Sequence, residues 1–302
     1  MPFQIIKVRF IYGLFALACA LLSTSICLAS QGTEQSLQTD KQNLKIIALA
    51  PHIVELLFDI GAGKQIIATG SYADYPEQAK TLPRVGDHSR LQIEKILKLK
   101  ADIVIAWRSG NPLEDLARLE QFGIPVIYSD PKQLEDVAKE LLMFGEVTGR
   151  QTLARLRADT FVMGLKKLRE QYANQIPISV FFEIWSAPLQ TIAGNAWPQQ
   201  HLNICGAQNI FADLSNDYPS VSLEQVISKM PQVIIQPKAN KQLASRLYDW
   251  QKFDFLPAVK NDFVFRPDAD RLYRMTTRVL DEVQVICEQI QLARRYYQQQ
   301  QS

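Results

Sequence analysis

Histidine, cysteine and glycine are scarce in this chain, whose 302 residues include 3 His, 4 Cys and 13 Gly. That scarcity removes several chemistries. The sequence has no His-Glu-x-x-His helix, no Gly-x-Ser-x-Gly nucleophile elbow and no P-loop. Gly61-Ala62-Gly63 follows a helical pattern instead of opening a helix after a strand, so it is not a dinucleotide-binding turn. Charge of one sign is lacking too. The 33 Lys and Arg against 31 Asp and Glu leave a formal net charge of +2, and no basic cluster lies beside aromatics at the spacing of a strand-tracking groove. Nucleic acid is therefore not an expected partner. The apolar run over residues 10–22 is too short to span a bilayer comfortably.

What the chain does have begins with export. Lys7 and Arg9 precede that apolar run, which leads into Ser23-Thr24-Ser25 and the small residues Ala29 and Ser30. This is the layout of a secretory signal peptide over residues 1–29, with cleavage expected near Ala29; an uncleaved membrane anchor is the alternative. Cys19 follows Ala16-Leu17-Ala18 as a weak echo of a lipoprotein processing site, but it sits inside the apolar run, so lipid anchoring there is the less favoured reading. Cys19 and Cys27 leave with the signal. Cys205 and Cys287 remain as one pair in an oxidising compartment, and a disulfide between them is expected, two buried free thiols being the alternative.

With 47% hydrophobic and 21% charged residues, the mature chain can bury a core, and its length suits two domains. After a polar linker over 30–43, short apolar runs at 45–50, 66–70, 103–107 and 125–128 alternate with helical patterns at 53–60, 92–99, 112–122 and 133–148. The alternation predicts an α/β lobe over 44–148 with a mainly parallel sheet. A long helix without interior proline is expected over 149–175, with Leu153, Leu156, Phe161, Leu165 and Leu168 as its apolar residues. A second α/β series over 176–293 includes strands at 178–182, 233–235 and 263–265, a helix over 198–205 that carries His201, expected to be structural, and a closing helix from Arg274 to about Gln291. Residues 294–302 read as a polar tail ending in frayed helix.

The two halves share an internal echo. The segment from Leu91 to Ile105 matches that from Val221 to Ile235 in polarity at most positions, a helix-to-strand unit in each half. In both copies a glutamate, Glu94 or Glu224, lies near the helix start, where the helix dipole and free N–H groups favour a carboxylate. First-turn stabilisation and the presentation of equivalent charges to one partner both account for the pair.

Several segments then carry a family resemblance: Ala50-Pro51-His52 with Glu55, the run from Ser71 to Pro76, the Trp107-Arg108-Ser109-Gly110-Asn111 turn, Cys205-Gly206 with Asn209-Ile210-Phe211, and Asp268-Ala269-Asp270 with Arg274 and Arg278. On these the chain resembles the periplasmic solute-binding proteins of the helical-backbone class (class III), and within it the cobalamin binders. The resemblance implies two Rossmann-like lobes joined by one rigid α-helix, with the ligand cleft between the lobes. It implies an ABC-importer component that is monomeric, has no cofactor of its own, and delivers cobalamin or a related corrinoid to a permease dimer with ATPase subunits. It also implies ligand-contacting roles for Tyr72, Trp107, Asp270 and Arg274, and permease docking through Glu94 and Glu224.

Each segment also makes physical sense alone. A macrocycle with apolar faces and amide-bearing edges needs flat aromatic surfaces on loops at strand ends. Tyr72, Trp107, Trp185 and Tyr218 suit that role, and Pro51, His52 and His88 are expected to rim the cleft. A half-buried core position is the plainer explanation for any single aromatic. The chain departs from the cobalamin binders where it has His88 and Tyr218 for tryptophans and Ile184-Trp185 at a phenylalanine position. His52 or His88 could ligate the metal of a bound corrinoid or haem, although no second ligand stands at metal spacing and a hydrogen-bonded surface histidine is the simpler reading. Haem or a ferric siderophore is the alternative ligand, and a metal-dependent enzyme the remote one.

Overall fold

The computed structural model describes residues 41–238 and 248–300. The expected signal peptide, Cys19 and the linker up to residue 40 lie outside the described residues. The N-terminal sheet consists of β1 (Ile46–Ala48), β2 (Ile66–Thr69), β3 (Ile103–Trp107) and β4 (Val126–Ser129), all parallel, in the order β2-β1-β3-β4. Helices α1 (Pro51–Asp59), α2 (Ile93–Leu99), α3 (Leu113–Gln121) and α4 (Leu134–Thr148) alternate with these strands. Proline is favourable at the first position of α1, where its missing N–H has no helical partner to lose. Helix α4 ends at Gly149 in a left-handed conformation (φ 68°), which glycine adopts without a Cβ clash.

The long helix α5 (Gln151–Gln171) follows at once. Its buried stripe is Ala154, Ala158, Phe161, Leu165 and Leu168, spaced four, three, four and three. This corrects the sequence expectation at two positions: Leu156 is exposed, and two alanines take the apolar stripe instead. Small residues are what this contact needs. A Cβ on Gly145 of α4 would lie 2.4 Å from the Ala154 Cβ, so the two helices approach nearly to backbone contact.

The second sheet holds β5 (Ser179–Ser186), β6 (Leu189–Thr191), β7 (Gln208–Asn209), β8 (Val233–Ile235) and β9 (Val264–Phe265). Its path is β6-β5-β8-β9, with β7 also on β5; the pairings are parallel except the β5/β6 hairpin. Its helices are α6 (Gln199–Ile204), α7 (Leu223–Ser228), α8 (Pro257–Lys260), α9 (Ala269–Tyr273) and α10 (Val279–Gln299). The last two differ from expectation. Arg274 does not start a helix but is extended (ψ 130°) between α9 and α10. The segment expected as a polar tail from 294 instead continues α10 to Gln299, with Ala293 and Arg294 buried and the Tyr297 hydroxyl donating to the Gln232 and Pro257 carbonyls.

Both sheets are covered on both faces, as the period-two alternation shows. In β3, Ile103, Ile105 and Trp107 face a cluster that includes Phe144, Phe161 and Leu165, whereas Val104 and Ala106 face Leu116 and Leu119. The first cluster runs without interruption from Ile53 through the α5 stripe to Phe182 and Ile286. One apolar core therefore joins both lobes to the connecting helix. Cys205 and Cys287, each fully buried in that core, form a disulfide across 82 residues with Cα atoms 4.8 Å apart. The internal echo is structural as well: α2 precedes β3 as α7 precedes β8, and the residues that close the two helical segments, Lys100 (φ 50°) and Met230 (φ 44°), are both left-handed.

Candidate functional site: the strand carboxyl ends of two lobes

The carboxyl edge of an open α/β sheet is where loops diverge and ligands enter. At that edge of the N-terminal sheet, β1 leads into Pro51 and His52, β2 into Tyr72, β3 ends on Trp107 and β4 on Ser129. Tyr72 is 69% exposed and has φ 67°. A bulky residue in this region is strained by about 1 kcal/mol or more. The surroundings enforce it: the Ser71 N–H and hydroxyl both donate to the Gly86 carbonyl, and the Tyr72 carbonyl accepts from Arg274 at 3.4 Å. The result is an aromatic ring projected into solvent.

Trp107 is fixed from beneath. Its N–H donates to the Asn111 side-chain oxygen at 2.8 Å, and the Gly110 and Asn111 N–H groups donate back to its carbonyl. Its ring lies over Gly110, where a Cβ would come within 1.9 Å, so the turn requires glycine. The ring also meets His52 edge-on at 5.4 Å between centroids. His52 itself is 3% exposed, with Nε2 2.9 Å from the Ser129 hydroxyl oxygen. Burial, with a contribution from Arg274, lowers its pKa to about 3, and the ring is neutral. Next to Ser129, the Asp130 N–H donates to Glu140 Oε1 at 3.3 Å, and burial raises the pKa of that carboxyl group. His52 is thus a buried residue held by Ser129 against the Trp107 ring, not a rim residue open to a ligand metal. His88 is exposed in the turn closed by Asp87, whose carboxylate accepts from Ser89 and Arg90.

In the C-terminal lobe Trp185 lies on β5, not in a loop, at an irregularity in its pairing with β6. It is 42% exposed and its indole N–H donates to the Ala187 carbonyl at 2.9 Å. Tyr218 is 43% exposed, and burial of its hydroxyl end pushes its pKa up. Trp197 carries no distinguishing local signal in the sequence. It is buried, donates to the Leu272 carbonyl, and meets His201 edge-on at 5.9 Å, a counterpart of the Trp107–His52 pair. His201 is fully buried and structural, and burial lowers its pKa to about 3.

Arg274 is placed differently from a free ligand contact. Its guanidinium bonds Glu55 at 2.7 Å, Asp74 at 2.6 Å and Asp270 at 3.4 Å. Arg278 holds Glu55 through two bonds of 2.9 and 2.7 Å and lies over the Tyr75 ring at 3.7 Å. Asp270 has its pKa raised by burial. Glu55, Asp74 and Tyr75 belong to the N-terminal lobe, so the cluster ties the ligand-side loop of one lobe to the last helix pair of the other. Glu55 and Arg278 had no assigned role in the sequence reading. The available signal was a carboxylate within the buried run Ile53-Val54-Leu56-Leu57. A second tie lies elsewhere on the same edge: Gln200 of α6 accepts from the Leu134 N–H and donates to the Lys132 carbonyl, both at 3.0 Å. No group of three or more His, Cys, Asp or Glu suited to hold a metal occurs among the described residues.

Two α/β lobes on parallel sheets, fixed by one long helix and meeting through segments that leave their strand carboxyl ends, define a solute-binding protein. The chain belongs to the periplasmic binding protein family, whose sequence profile matches residues 46–270. It is 38% identical over 252 residues to the vitamin B12-binding protein of Vibrio cholerae, covering 83% of this chain and 90% of that one. The crystal structure of the periplasmic vitamin B12 binding protein BtuF of Vibrio cholerae aligns with a TM-score of 0.76 over 83% of this chain and 98% of that one, at 38% identity. The periplasmic heme-binding protein RhuT from Roseiflexus sp. RS-1 aligns with a TM-score of 0.73 over 83% of this chain and 99% of that one; at 23% identity this is a likeness of fold.

Proposed function

We propose that this protein binds cobalamin or a related corrinoid between its lobes and delivers it, as a monomer, to an ABC permease dimer with its ATPase subunits. The observation that carries the reading is the set of aromatic rings at the strand carboxyl ends, above all Tyr72, which a strained backbone anchored from the opposite lobe holds out into solvent. The vitamin B12-binding relatives support the choice of ligand. Cyano- or aquocobalamin is expected to bind with submicromolar affinity, and Tyr72→Ala with Trp107→Ala to weaken binding on the order of a hundredfold by removing apolar stacking area. Titration followed by visible spectroscopy after desalting checks this. Haem binding with no corrinoid binding would overturn it and promote the haem reading, in which the exposed Tyr72 phenol is the candidate axial ligand.

Export through the N-terminal signal, with cleavage near Ala29, places the protein in the periplasm in this reading, a carrier and not an enzyme. Glu94 and Glu224, both exposed on the first turn of equivalent helices, are its docking carboxylates. Helix α7 is already capped by Ser222 and Gln225, which bond each other's backbone N–H, so capping does not require Glu224. Its backbone N–H and Ser222 lower the Glu224 pKa, so it is charged at neutral pH. Glu94→Ala with Glu224→Ala is expected to leave corrinoid affinity in solution unchanged and to lower transporter-coupled ATPase stimulation and uptake at least about tenfold. Loss of folding or of ligand binding in that variant would return the pair to a helix-stabilising role.

A further inference from the structure

The two docking helices are equivalent in fold and unequal in charge. Around Glu94 lies a surface groove of about 800 Å³ whose lining includes Arg84, Arg90, Lys95, Lys98 and Arg118. The acids in that lining are committed or few. Asp115 accepts from the Leu91 N–H and Arg118, Asp87 closes its own turn, and Glu94 stands alone. The cations are mostly uncompensated. Arg84 donates to the carbonyls of Gly70, Ala73 and Ala79, and Lys95 to that of Arg84, all neutral acceptors. Arg90 and Lys98 are exposed and have no ion pair among the described residues. At the register of the internal repeat, Lys95 and Lys98 correspond to Gln225 and Ser228, and Arg90, the residue just before the repeat, to Ser220. The C-terminal tip has a cation elsewhere, Lys229, whose ammonium lies over the Phe211 ring at 5.3 Å.

We propose that this basic groove is a docking surface for an acidic patch on the periplasmic face of the permease, engaged at one of the two permease subunits and not at the other. The inference rests on the permease-docking reading above and adds to it a second determinant, separate from the paired glutamates. Three exposed cations that form no ion pair among the described residues, in a groove whose lining has five cations against three acids, leave a net positive field that an anionic partner surface completes. The Glu94 carboxylate in their midst favours a protein surface carrying both signs over a uniformly anionic lipid surface, which would repel it. A homodimeric permease presents the same patch twice. The carrier answers it once, because the corresponding C-terminal positions are two serines and a glutamine.

The asymmetry gives a test in both directions. The full-length mature protein, the variant Arg90→Glu/Lys95→Glu/Lys98→Glu, and the variant Gln225→Lys/Ser228→Lys are to be titrated against the permease complex in nanodiscs at low and at physiological salt. The same proteins are titrated against protein-free vesicles containing anionic phospholipid. All five positions are exposed, and the second variant keeps the Ser222 half of its helix cap. The charge reversal is expected to weaken docking about tenfold at low salt, less at high salt, with corrinoid affinity unchanged. The graft is expected to tighten docking roughly threefold, because the unanswered acidic patch then meets lysines. Reversal without effect, while the wild type docks, overturns the groove and leaves the glutamate reading standing. Reversal that costs tenfold with a graft that gains nothing overturns the one-sided arrangement. Reversal that acts on vesicles alone assigns the groove to lipid and overturns the proposal. A wild type that does not dock at all overturns the docking reading with it.

Discussion

Glu55→Gln is expected to cost the folded protein about 3 kcal/mol, because it removes the negative centre shared by two largely buried guanidinium groups. The Glu55 side chain is 3% exposed, and those of Arg274 and Arg278 that bond it are 12% and 18% exposed. Glutamine keeps the volume, but it loses the charge and turns an N–H₂ toward donors that have no use for it. Arg274 retains Asp74 and Asp270, and Arg278 retains the Tyr75 ring, which is why the expected loss stays near the lower end of what breaking a buried pair costs. For a chain of this size the change corresponds to a fall of roughly 6–12 °C in Tm. The Tyr72 loop is tied to the same arginine, so the variant is also expected to increase susceptibility of the segment around Asp74 to limited proteolysis. A Tm within a degree of wild type would show that solvent, not Glu55, balances these arginines.

The parts of the structure that were legible in the sequence are those written in local periodicity. Apolar runs such as 103–107 and 233–235 alternating with helical patterns dictated the α/β lobes, and a long stretch without proline dictated α5. The signal-peptide pattern expected at the N-terminus, with a single cysteine pair remaining after it, pointed to the Cys205–Cys287 bridge. What escaped depends on contacts distant in sequence. Arg274 was expected to open a helix, but its partner Glu55 lies 219 residues away, and bonding to that lobe holds the backbone extended between α9 and α10. The end of α10 looked like a polar tail because residues 298–301 are glutamines, yet Tyr296 and Tyr297 pack on Phe263 at 5.4 and 5.6 Å and hold the helix to Gln299. His52 looked like a rim residue because it follows a strand directly. Its burial depends on Ser129 and Trp107 arriving from two other strands, which no window around residue 52 contains.

The same distinction bears on how the site is built. Tyr72, Trp107, Trp185 and Tyr218 were found as residue types at strand ends, and the structure places them at or beyond those ends. What gives the first two their positions is a set of neighbours with little chemical signature of their own. Gly110 leaves room for the Trp107 ring, Asn111 holds its backbone, Ser129 anchors the histidine beneath it, and Arg274 reaches from the other lobe to the Tyr72 carbonyl. The ionic cluster and the Gln200 tie restrict how far the lobes can separate, in addition to the apolar core they share with α5. In the proposed carrier reading, ties of this kind are expected to favour ligand recognition by small adjustments of aromatic side chains over wide closure of the lobes.

Cys205→Ala with Cys287→Ala is expected to lower stability on the order of 4 kcal/mol, the loss of chain-entropy restriction calculated for a loop of this length. The two sulfurs close 82 residues that contain β7, β8, β9 and most of the second lobe, so the unfolded chain gains much freedom without them. Alanine is the appropriate replacement because both cysteines are fully buried, and serine would bring unpaired hydroxyls into the core. A second link partly compensates in the native state: Arg294 donates to the carbonyls of Cys205 and Gly206 at 2.7 and 3.0 Å, holding the end of α6 against α10 after the sulfurs are gone. The native arrangement should therefore persist, and corrinoid affinity should change little while the urea midpoint falls. Wild-type protein unfolded in reductant should match the double variant, and the variant should not respond to reductant. Equal midpoints for oxidised and reduced wild type would mean that the bridge does not restrict the unfolded chain, and the second lobe would then owe its stability to its apolar core and the Arg294 link.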